Sequence, residues 1–97
     1  MATSYTITSN EAASIALQAF AWIMSEDDIR DRFLDLSGLS SDELAEQIER
    51  RDFQIAILDF LLQHEPDLLA FADATEISPN LPMQAKQQLA GPEVAWT

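Results

Sequence analysis

Two segments of this chain, residues 9–24 and 53–62, are apolar on nearly every side when wound as helices, and that pattern narrows the possible folds. At about 100 degrees per residue, Ile15, Ala16, Ala19, Phe20, Trp22 and Ile23 share one broad face of the first segment, with Leu17 and Met24 behind them. Only Glu11, Ser14 and Gln18 leave a polar stripe. The second segment winds Phe53, Ile55, Ile57, Leu58, Phe60, Leu61 and Leu62 around its axis and keeps Asp59 and Gln63 for water. A helix apolar nearly all round has to be covered on several sides, by neighbouring helices or by another chain. No stretch alternates with a period of two and β-branched enrichment, so strands are not expected.

Helix ends are marked by few breakers, 2 glycines and 4 prolines in 97 residues. Thr8 with Glu11 fits a capping box and starts the first helix. Ser25 is the expected cap of a second helix, with Glu26, Asp27 and Asp28 at its positive end and Gly38 as a left-handed stop. Ser40 with Glu43 repeats the capping box for a third helix, ending near Arg50 and Arg51, and Asp52 is the expected cap of the fourth. Pro66 forces a break, since it lacks the amide that would bond the carbonyl of Leu62 and its ring clashes there. It also disfavours helical angles at Glu65, so a fifth helix is expected to start with Pro66 at its first position. Ser78, Pro79, Asn80 and Pro82 precede a last helix to about Ala90, closed by Gly91 and Pro92.

These readings add up to an all-α fold, a compact bundle of five or six short helices in a single domain over residues 1–97. The ordered core is expected over about residues 9–90, with a flexible N-terminal arm and C-terminal tail. Tyr5, Ile7 and Trp96 on those ends are expected to fold back onto the bundle, the alternative being a contact with another chain. The first and fourth helices are expected at the centre. Around them would lie the second, third and sixth, the second with a narrow apolar seam of Ile29, Phe33 and Leu36 and the third with one of Leu44 and Ile48. Asp28 with Arg32 and Glu46 with Arg50 are expected surface pairs of about 0.3–0.5 kcal/mol each.

The formal charge of −12 bounds the partners. Such a field repels phosphate backbones and anionic headgroups, so neither nucleic acid nor membrane is an expected partner. The helix, glycine turn and helix of FLDLSGLSSDELAEQI outline a DNA-binding unit, yet its recognition helix would turn Asp42, Glu43, Glu46 and Glu49 toward phosphates. Those four acids are instead candidates to face a basic protein, against the plainer reading of a solvated surface. The acid-rich SEDDIRDRFLD lacks the calcium-loop pattern. With no cysteine there is no disulfide, thiolate nucleophile or Cys-based zinc site, and a reducing cytoplasm is the expected setting. The first ten residues carry no Lys or Arg and lead into no hydrophobic core with a basic flank, so a secretory leader is not expected.

One stretch, DFLLQHEPDLLAF, holds the chain's 1 histidine. His64, Glu65, Pro66 and Asp67 read first as a structural corner, with His64 at the end of the fourth helix complementing terminal carbonyls. The competing reading makes His64, Glu65 and Asp67 an acid/base or metal site, but the ligand spacing is wrong for a helix-borne metal pair and no nucleophile accompanies the histidine. No phosphate-cradling loop or Ser/His/Asp arrangement is present either. No catalytic residue, metal ligand or cofactor is therefore assigned, and the expected role is a small non-catalytic protein-interaction module. It would bind itself or, alternatively, serve as an acidic adaptor or inhibitor of a basic protein.

The segments FLDLSGLSSDEL and AILDFLLQHEPDLLAFA, followed by the proline-marked last helix, resemble the bacterial family termed domain of unknown function 3572, found mostly in alphaproteobacteria. The resemblance covers roughly residues 11 to 91. It implies a stand-alone helical protein of about this length and carries over no functional residue.

Overall fold

A computed structural model describes residues 7–91. Tyr5, Trp96 and most of the two expected end segments lie outside that range. Six helices follow in order: α1 (Ser9–Ser25), α2 (Asp27–Ser37), α3 (Ser41–Gln47), α4 (Arg51–Leu62), α5 (Glu65–Thr75) and α6 (Leu81–Ala90). There is no strand among the described residues.

Local sequence chemistry accounts for several of the boundaries. At the start of α1 the Thr8 hydroxyl accepts from the Glu11 amide at 3.0 Å while the Glu11 carboxylate accepts from the Thr8 amide at 2.8 Å. Ser40 and Glu43 do the same for α3, at 3.2 and 2.9 Å. Gly38 closes α2 with φ of 71°, a left-handed conformation that costs glycine nothing, and no atom stands within 4 Å of where a Cβ would be.

Other boundaries differ from expectation because a nearby partner captures the side chain. Ser25 does not cap α2: it is the last residue of α1, and its hydroxyl donates back to the Trp22 carbonyl at 2.7 Å. Glu26 takes the cap position without a side-chain hydrogen bond. Asp52 likewise does not cap α4, where Arg50 stands at the cap. Its carboxylate is held by that arginine through two contacts of 3.3 Å. The expected Asp28–Arg32 and Glu46–Arg50 pairs give way to pairs of Arg32 with Asp67 and Arg50 with Asp52. At Glu76 α5 ends in a left-handed residue that is not glycine, φ 61°.

In the core, Ala12, Ala16, Ala19 and Ile23 of α1, Ile57, Leu58 and Leu61 of α4 and Ala85 of α6 are fully buried. Small residues on α1 and α6 let the backbones approach closely, so α1, α4 and α6 pack against one another as a central trio. The expectation that the last helix lies outside the centre is thereby corrected: its moderate apolar content is concentrated on Pro82, Ala85 and Leu89, all turned inward. Phe71 and Leu44, both fully buried, anchor α5 and α3. Ile7 packs into the same core ahead of the α1 cap, as a folded-back end should.

A second cluster joins α1, α2 and α4. Phe33 meets Phe60 edge-on with ring centroids 4.9 Å apart, Phe53 at 6.2 Å and Phe20 at 6.4 Å. Such edge-to-face pairs each contribute about 0.5–1.5 kcal/mol beyond area burial. They carry much of the attachment of α2 to α4, because the α2 backbone lies along α1 and scarcely approaches α4.

Candidate functional site

The corner between α4 and α5 brings together some of the residues singled out there. His64 is the cap residue of α5 rather than the end of α4, with Glu65, Pro66 and Asp67 filling the first three helical positions. Pro66 thus stands second, where its missing amide is one of the helix's orphan donors in any case. Asp67 is 7% exposed, and its carboxylate accepts from the Arg32 guanidinium and faces His64 Nδ1 at 3.1 Å. Arg32 also lies over the Phe60 ring, 5.4 Å from its centroid. An ion pair across 35 residues of sequence therefore locks α2 to the start of α5.

Glu65 joins this pair through no hydrogen bond or ion pair. The imidazole is more than half exposed, and both Asp67 contacts use the same oxygen, Oδ2. This geometry serves as a structural clamp: the Asp67 charge is already neutralised by arginine. No group of three acidic or histidine side chains among the described residues is arranged to hold a metal ion.

On α3, Asp42, Glu43, Glu46 and Glu49 are all exposed, the last just past the helix end. Glu43 is engaged in its capping box, and none of the four forms an ion pair with a described cation. Four of the chain's five Lys and Arg residues are committed elsewhere. Arg30 pairs with Asp27 and Asp31, Arg32 with Asp67, Arg50 with Asp52, and Lys86 with Asp59. Arg51 makes no ion pair among the described residues and points away from Phe53 on the α4 wheel.

Where α2 stands off from α4 the surface opens into a groove of about 310 Å3. Phe33 and Leu36 of α2 face Phe53, Ala56 and Phe60 of α4 across it, with Asp59 at its edge. Leu36 is 71% exposed, the most exposed large apolar residue described. The sequence pattern places it in a narrow apolar seam with Ile29 and Phe33. It emerges into solvent because the phenylalanine rings hold α2 away from α4, a spacing no periodicity encodes. At the edge, Asp59 Oδ1 accepts from Lys86 Nζ at 2.7 Å and Oδ2 accepts from Gln63 at 2.8 Å. The Lys86 hydrogen bond holds the Asp59 carboxyl below the ordinary aspartate pKa, and the Gln63 bond acts in the same direction. A second groove of about 310 Å3, between Ile7, Ile15, Ile77 and Leu81, runs along the polar stripe of α1. No helix among the described residues is long and apolar enough to cross a membrane.

Residues 9–92 match the family model described as a protein of unknown function (DUF3572). No curated protein matches the chain, and no solved structure does.

Proposed function

The chain belongs to the DUF3572 family, which transfers no activity, and from its own residues we propose that it is a non-catalytic protein-interaction module whose docking surface is the α2–α4 groove. The observation that carries this reading is Leu36, 71% exposed beside a groove floored by three phenylalanines. Solvating a leucine in that setting forfeits about 1.5–3 kcal/mol relative to burying it, a loss that a partner would recover. The clamp at Asp67 holds α2 in place, so the groove is preformed rather than assembled on binding. A bacterial cytoplasm is part of the same proposal, supported by the 0 cysteines of the chain.

A photocrosslinking amino acid at position 36, compared with one at exposed Leu69 on α5, tests the reading in cells that naturally express the chain. The expected result is an adduct with one protein species at position 36 and none at 69. Equal labelling at both, or none at 36, would overturn it. Sedimentation across roughly two decades of concentration separates the occupants, because a self-associating module gains mass with concentration and a module for another protein stays monomeric alone.

The exposed α3 acids support a second reading, an acidic adaptor or inhibitor held to a basic protein by charge. Retention of such a partner must fall steeply as salt rises. Retention independent of ionic strength would count against it.

A further inference from the structure

We propose that the α2–α4 groove accepts one basic amphipathic helix from a partner protein. Its apolar side would lie over Phe33, Phe53 and Phe60, and its Lys or Arg residues would answer the chain's formal charge of −12. This inference rests on the groove being the docking surface and adds what fills it.

Shape and backbone chemistry favour a helix over an added strand. From Phe53 to Gln63 the α4 wall of the groove rises about 15 Å, the length of a helix of roughly ten residues. A peptide added as a β-strand would need a sheet edge to pair its amides and carbonyls, and the described residues include no strand. A helix arrives with its backbone bonds made and presents apolar residues at i, i+3, i+4 and i+7, the pattern an apolar floor between two ridges can take.

Charge selects the sign. Four of the five cations already serve internal carboxylates: Arg30 serves Asp27 and Asp31, Arg32 serves Asp67, Lys86 serves Asp59 and Arg50 serves Asp52. On the outer flank of α2, Asp28 and Asp35 are exposed and form no ion pair with a described residue, and beyond Gly38 come the unpaired acids of α3. Among the described cations only Arg51 makes no ion pair, against a larger number of unpaired acids, so the balance of charge favours a basic ligand. A second copy is disfavoured on the same ground, since each chain carries a formal charge of −12.

The test is fluorescence anisotropy with labelled peptides of about 14 residues. One carries Leu at the i, i+3, i+4 and i+7 positions with Lys elsewhere, its twins carry Glu or Gln for Lys, and a fourth scrambles the Leu/Lys sequence. The wild-type chain should bind the Leu/Lys helix saturably and more tightly than the other three. Ala56→Glu adds a charge of the attracting sign but fills the groove, so it should weaken binding by at least about tenfold. Leu36→Ser should weaken it too, while Leu69→Ser on α5 leaves it unchanged. Positions 36, 56 and 69 are exposed, and circular dichroism checks that each variant folds.

Equal binding of the scrambled peptide, or affinity untouched by Ala56→Glu, would overturn the proposal by reducing the interaction to bulk charge. Preference for the Gln or Glu twin with loss on Ala56→Glu would overturn the basic occupant while leaving the groove as a docking surface. A groove-dependent dimer in sedimentation would assign the groove to a second copy. If no helix binds the wild-type chain, the proposed occupant is wrong, and failure of the crosslink at position 36 then removes the docking surface as well.

Discussion

Replacing Asp67 by asparagine keeps the shape of the side chain and removes the charge that joins α2 to α5. Asp67 is 7% exposed and accepts from Arg32, whose side chain is 42% exposed. A hydrogen bond to a charged group contributes about 1.5–3 kcal/mol. The arginine side of this one regains water when the bond is lost, which moves the expected cost to about 1–2 kcal/mol. In a domain this small each kcal/mol lowers the melting temperature by about 4–8 °C, so Asp67→Asn should lower it by roughly 5–15 °C. The assay is a urea or thermal unfolding series on wild type, Asp67→Asn, Arg32→Met and the double variant. Methionine preserves an apolar stem over Phe60. The two changes should overlap, with a coupling of about 1 kcal/mol. Strict additivity, or a melting temperature within about 2 °C of wild type for Asp67→Asn, would refute the clamp.

Lys86→Met should cost less than about 1 kcal/mol at neutral pH, since both side chains of the Asp59–Lys86 pair are a third or more exposed. Because the pair holds the Asp59 pKa below its unfolded value, its stabilisation is complete above the ordinary aspartate range and is lost as pH falls through the lower folded value. Wild type and variant should therefore converge in acid unfolding curves once the pH is below the depressed Asp59 pKa. Glu76→Gly should stabilise by about 0.5–1 kcal/mol, since φ of 61° is free for glycine and the change also removes a negative charge from the negative end of α5. Gln84→Met on α6 should raise stability by about 1 kcal/mol in urea titrations, because the Gln84 Oε1 atom is buried without a hydrogen-bond partner among the described residues.

Features governed by neighbours in sequence were legible before the fold was known. Thr8 with Glu11, Ser40 with Glu43 and the left-handed Gly38 are rules of three or four residues, and each stands where the rule places it. The same reasoning failed at Ser25 and Asp52, where a second local acceptor or donor, the Trp22 carbonyl or the Arg50 guanidinium, won the side chain. Arg32 was assigned to Asp28 one turn away, yet it reaches Asp67, a partner that only tertiary packing brings near. His64, Glu65, Pro66 and Asp67 lie at the junction of α4 and α5, but the charge that meets Asp67 comes from α2. Similarly, the last helix is expected around the centre, whereas its buried face of Pro82, Ala85 and Leu89 packs closely against α1 and α4. The groove was not legible at all. It follows from the width of the phenylalanine cluster, and the nearest sequence signal was Leu36 at the end of its seam beside Ser37 and Gly38.

The central claim, that the α2–α4 groove is where a partner docks, is tested most directly by amide chemical-shift mapping of the full chain titrated with the Leu/Lys helix. The account predicts the largest shifts at Phe33, Leu36, Ser37, Phe53, Ala56 and Phe60. Shifts confined to Asp42–Glu49 on and after α3, or centred on Ile15, Ile77 and Leu81 at the other groove, would contradict it.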